Sequence, residues 1–140
     1  MFYTIVFVIV LLLGIACVCD FRRREVPDWI AITIALVGFG ATILGWWDSS
    51  MMWVIVGGLV GLLIGYALFH FAKLGGGDAK LIAALGVLVG PVGLLIVLFG
   101  TAVAGGVLSL VAISRGKKDF AYVPAIALGF LGYVGFVSQW

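Results

Sequence analysis

Six apolar stretches, broken by charge at only a few points, constrain this chain more than any other feature. They fall at about 2–19, 29–47, 51–72, 80–90, 92–114 and 121–140. A helix needs roughly 20 apolar residues to cross a bilayer, and most of these stretches approach that length. Charged residues are only 10% of the chain, against about 25% in a soluble domain, so a water-facing coat cannot be built. The expected class is an all-α polytopic membrane protein with about six transmembrane helices, forming a single domain over residues 1–140.

The positions of the charges refine that expectation. Arg22, Arg23 and Arg24 follow the first stretch, Lys73 and Lys80 flank the turn after the third, and Arg115, Lys117 and Lys118 follow the fifth. All eight basic residues therefore occupy alternate connections, and the positive-inside rule assigns that side to the cytoplasm. Both termini are then expected outside, with Trp46, Trp47 and Trp53 at the outer interface and Trp29 at the inner one. The fourth stretch is short, spanning about half of a ~30 Å core. Either Gly90-Pro91 turns the chain deep in the membrane, or Ala79 and the glycines before it begin inside. Irregular backbone at that depth is tolerated where protein surrounds it.

No Lys or Arg precedes the first apolar run, and Gly14 stands where a lipoprotein signal ahead of Cys17 would need Leu. The run is read as a retained transmembrane helix. Gly57, Gly61 and Gly65 recur every fourth residue in the third stretch, a spacing that lets helices approach closely in lipid.

Few residues offer chemistry. Cys17 and Cys19 lie one residue apart inside an apolar helix, which suits neither a metal site nor an ionised nucleophile. His70 is the single histidine and has no serine in a matching context. No metal and no organic cofactor are expected. Carboxylates remain. Asp20 and Asp78 are separated by two spans, so parity puts both at the cytoplasmic edge, where a carboxylate against hydrocarbon is costly and tends to serve function. Asp20 closes the first helix, where the dipole opposes its charge and Arg22 to Arg24 are the available compensation. Asp78 precedes a helix and suits an N-cap. The glycines at 75, 76 and 77 before it suit a backbone approached closely by something such as a substrate strand. Asp28, after Pro27, suits the N-cap of the second helix, and Asp48 and Asp119 suit solvated turns.

These residues carry a resemblance. Gly75-Gly76-Gly77-Asp78-Ala79-Lys80-Leu81 resembles the G-x-G-D-x-K-L signature of type IV prepilin and preflagellin peptidases, which are GxGD aspartyl proteases. Asp20 with Arg24-Glu25-Val26-Pro27-Asp28 is similar to that family's first-aspartate motif, D-x-x-x-R-x-I-P-N, with Asp28 in place of Asn. Pro124-Ala125-Ile126-Ala127-Leu128-Gly129 resembles the proline motif that opens its last helix. The resemblance implies that Asp20 and Asp78 are a catalytic pair that removes the leader of prepilin-like proteins at the cytoplasmic face. It implies substrates with a short basic leader ahead of an apolar helix whose first residues include a glutamate. The paired C-x-x-C motifs of methylating members are absent, so trimming without N-methylation is expected. The expected partners are such protein substrates and membrane lipid, with no nucleic acid. Lys80 is expected to snorkel at the interface, with an electrostatic influence on the pair as its other role. A small transporter or channel subunit competes with this reading, since buried acids and broken helices also serve ion coupling. A pilin-binding homologue that does not cut is the third reading.

Overall fold

The structure is a computed structural model describing residues 1–47, 49–73, 75–117 and 121–139. The expected turn acids Asp48 and Asp119, and the basic Lys118, lie outside the described residues. Five helical elements follow in order: α1 (Phe2–Arg23), α2 (Asp28–Ile43), α3 (Met51–Phe71), α4 (Gly76–Ser114) and α5 (Val123–Val137). Among the described residues there is no strand.

Helices α1, α3 and α4 are long and apolar enough to cross a membrane, while α2 and α5 are apolar but shorter. Large side chains cover the outside of the bundle, including Phe7, Leu11, Leu36, Leu63, Phe99 and Leu110, each more than half exposed. A water-facing monomer does not carry so continuous an apolar surface. Lipid is the solvent that matches it, and the protein is an integral membrane protein.

Helix α4 decides the architecture. Its 39 residues would make a rod of about 58 Å if straight. Yet Asp78 in its first turn and Arg115 just past its end line one cavity, so the element doubles back. The reversal is at Gly90, whose φ of 73° and ψ of 177° are non-helical, with Pro91 next. That region of backbone space is essentially reserved for glycine. The expected boundary between the fourth and fifth apolar stretches falls on this break. Helix, however, starts at Gly76 rather than Lys80, which lengthens the first arm (76–89) to about 21 Å.

Glycines seat both arms. A Cβ on Gly65 would lie 2.6 Å from the Ala79 carbonyl oxygen, one on Gly61 2.9 Å from Ala83 Cα, and one on Gly57 would collide with the Gly86 carbonyl. The order shows α3 antiparallel to the first arm, and it gives the glycine stripe the packing role its spacing predicts. Gly38 of α2 meets Leu88 in the same way, and Gly86 faces Leu94 of the second arm. The first arm is thus enclosed by protein, with every residue from Leu81 to Gly86 buried. A short helix tolerates the membrane here because neighbouring helices, not lipid, surround it. Gly100 against Gly129, and Gly105 against Tyr122, set the second arm antiparallel to α5. Gly57→Ala is expected to cost about 1–3 kcal/mol by forcing α3 off the first arm, read as a lower thermal unfolding midpoint in detergent.

At the far end of α1, Phe2 stacks on Trp47 with ring centroids 5.1 Å apart. Trp47 is buried at 7% exposure, so at this end of the bundle it ties α1 to the end of α2. Trp29, Trp46 and Trp53 remain about half exposed.

Candidate functional site

Asp20 and Asp78 are, with Thr101, the buried polar side chains among the described residues, at 9% and 8% exposure. Both line the same two cavities and lie close enough for their charges to interact. The helix pairing set by the broken α4 brings them together across 58 residues of chain (78 − 20).

Asp20 sits one turn before the end of α1, not at its terminus, on the face that buries Ile5, Ile9, Leu12, Leu13 and Ala16. Its backbone carbonyl accepts the Arg24 amide, where the chain turns left-handed at φ 52°. Arg24, of the three arginines expected to compensate it, lines both cavities with Asp20, and a second contribution comes from a distant segment. The Val123 amide, at the head of α5, donates to Asp20 Oδ2 at 3.3 Å, and a helix N-terminus favours a negative group. Pro124 belongs to this arrangement. At the start of α5 its missing N–H and preset φ suit a first turn, and the motif proline marks the helix start that meets Asp20.

Asp78 is in the first turn of α4 and its amide donates to the Gly75 carbonyl at 3.1 Å. The N-cap is Gly75, so the expectation that Asp78 caps its helix is corrected. One of the three glycines is corrected with it. Gly76 and Gly77 are helical, and a Cβ on Gly77 would lie 2.8 Å from Val26 Cβ. The close approach that needs glycine is therefore internal: the Val26-Pro27 turn rests on the first turn of α4 and sets the height of Asp78 relative to α1. Gly75 lies beside the Asp78 carboxylate, where a Cβ would stand 3.3 Å from Oδ2.

Pro27 is the N-cap of α2, and Asp28 is its first helical residue. Asp28 caps nothing with its side chain. Its Oδ1 instead receives Lys80 Nζ at 2.7 Å, with both side chains more than half exposed. Lys80 thus bridges α4 to α2 across the outside of the site. An exposed pair of this kind is worth little, so Lys80→Met is expected to change stability by less than about 1 kcal/mol in a chemical unfolding titration.

The larger cavity, about 740 Å³, holds Asp20 and Asp78 with Arg24, Lys73, Arg115 and Lys117 around them. Phe21, Leu108, Val111 and Ala112 supply apolar wall. The smaller, about 240 Å³, places Glu25 and Asp28 beside the same two aspartates. Basic residues from three alternate connections thus share one end of the bundle. Tyr122 also lines the larger cavity. Burial, and then the charge of Asp78, push its phenol above the ordinary value. Neither Tyr122 nor the Val123 amide was legible as a site group; Pro124, next in sequence, was the signal that pointed there. His70 is exposed and stacks on Tyr66, 6.2 Å between ring centroids, away from both cavities.

Such an arrangement can hold a peptide bond and a water against two carboxylates inside an otherwise apolar wall. Comparison with known proteins bears on which chemistry it serves. Over 81 residues the chain is 37% identical to the preflagellin peptidase of Methanococcus maripaludis strain C6, covering 54% of this chain and 34% of that protein. The chain thus matches about a third of that relative's length. No solved structure matches. The model of the type IV leader peptidase family matches residues 7–110, a span that runs from α1 through the break at Gly90 into the second arm of α4 and includes both buried aspartates, and the chain belongs to that family.

Proposed function

We propose that this protein is an intramembrane aspartyl endopeptidase that removes the leader from prepilin-like substrates, with Asp20 and Asp78 as its catalytic pair. The observation that carries the proposal is the convergence of two buried carboxylates from α1 and α4 on shared cavities at the charged end of an apolar bundle. Like charges this close are held most cheaply when they share one proton. The ionised member takes a proton from water as the water attacks the scissile carbonyl. Its protonated partner hydrogen-bonds the developing oxyanion and then protonates the leaving amine. The Val123 amide orients Asp20 throughout. Gly75, Gly76 and Gly77, with the Val26-Pro27 turn seated on Gly77, position Asp78. No metal or organic cofactor enters the scheme.

The topology proposed with it has six crossings, the two arms of α4 counting separately. The end that carries Arg24, Lys73, Arg115 and Lys117 faces the cytoplasm by the positive-inside rule, and both termini face outward. Substrate is trimmed at that face without N-methylation. The test pairs the protein with candidate prepilins in membranes and reads the product's N-terminus by mass spectrometry. A new N-terminus at a single bond ahead of the apolar helix supports the proposal. Intact substrate across prepilins of several pilus and archaellum types would sink it.

A further inference from the structure

The two cavities that share the aspartate pair have opposite walls. Beyond the shared Asp20, Arg24, Gly75 and Asp78, the smaller one is lined, among the described residues, by the anionic Glu25 and Asp28 and no further cation. Asp28 is engaged with Lys80, which leaves Glu25 as its principal anion. Beyond the same shared residues, the larger cavity is lined, among the described residues, by Lys73, Arg115 and Lys117 with no further acid, and by the apolar residues Phe21, Leu108, Val111 and Ala112. A chain lying across the aspartates therefore meets the more anionic wall on one side, and a cationic wall over apolar surface on the other. Complementary potentials of this kind select orientation and suppress the reversed mode more than they raise affinity.

We infer that charge sets the direction in which substrate crosses the aspartate pair: its basic flank lies over Glu25 in the smaller cavity, and its apolar flank, led by an acidic side chain, lies in the larger cavity against Lys73, Arg115 and Lys117. This rests on the leader-peptidase reading and names the residues that read each flank. It also reduces an apparent conflict, since Arg22 to Arg24 alone would repel a basic leader. Arg22 and Arg23 line neither cavity, and Arg24, which lines both, is met in the smaller one by the adjacent Glu25.

The test uses the full chain in phosphatidylcholine vesicles with and without phosphatidylglycerol, and substrates whose leaders are basic, neutral or acidic. Wild type is expected to cleave the basic leader about tenfold faster in kcat/KM than the acidic one. Glu25→Lys is expected to reverse that order. Arg115→Glu is expected to lower cleavage of a substrate with an acidic residue on the apolar flank, and to be relieved when that residue is made basic. Because each readout is a ratio between two substrates on one preparation, a partly unfolded variant does not mimic the result. An unchanged ratio in Glu25→Lys overturns the inference. So does a rate that depends on phosphatidylglycerol but not on the substrate's acid, which would give the basic wall to a lipid headgroup. An arm that needs no catalysis places a photo-crosslinking benzoylphenylalanine on either flank of an uncleaved substrate. Leader-side links to the 24–28 turn and apolar-side links to 108–117 support the inference, and exchanged or indiscriminate links overturn it. Ordered links without cleavage would leave the orientation standing while the peptidase reading fails.

Discussion

Replacing either buried aspartate by asparagine is expected to lower leader cleavage by roughly a thousandfold, the range set by loss of a positioned acid or base. Asparagine keeps the size of the side chain, and at position 20 it keeps an oxygen to accept the Val123 amide. The fold should therefore survive. The double variant Asp20→Asn with Asp78→Asn is expected to be no slower than the worse single variant, since residues acting as one unit do not lose rate additively. Cleavage rate in membranes, with helix content of the purified variants by circular dichroism, measures both outcomes. A single variant that keeps more than roughly a tenth of wild-type rate would remove that aspartate from the chemistry assigned to it.

Gly90→Ala is the second change with a large expected effect, and its cause is backbone conformation alone. A Cβ at position 90 would meet nothing nearer than the Trp53 carbonyl oxygen at 3.8 Å, so no clash contributes. The φ of 73° with ψ of 177° is what a side chain resists, at a cost of about 1–3 kcal/mol. The relief available to the chain is to straighten α4, which moves the second arm off the first and draws Arg115 away from Asp78. Thermal stability and cleavage should fall together. Gly106→Ala is the control, because a Cβ there meets nothing within 4 Å inside the same helix. It should be neutral or slightly stabilising. Equal behaviour of the two variants would count against the reversal at Gly90 as the feature that assembles the site.

Both predictions concern residues that stood out in the sequence, but for reasons of different depth. Membrane class, helical content, the sites of charge and the glycine stripe of α3 depend on local composition and periodicity, because lipid forces each apolar segment to satisfy its own backbone. Gly90-Pro91 was legible as a break for the same reason. Asp20 and Asp78 could be placed at one end by counting segments, and motif resemblance singled them out.

What surrounds each aspartate was not legible. Asp20 takes its hydrogen bond from the amide of Val123, 103 residues away, and no pattern near Asp20 encodes the place where α5 begins to face it. Gly77 was read as room for a ligand, yet the room is filled by Val26. Asp28 was read as a cap by its position after Pro27, yet Lys80 of another helix claims it. Glycines, acids and prolines announce that the backbone or a charge needs something. Which partner supplies it is set by helix packing between segments far apart in the chain, and here by the direction in which α4 turns back at Gly90.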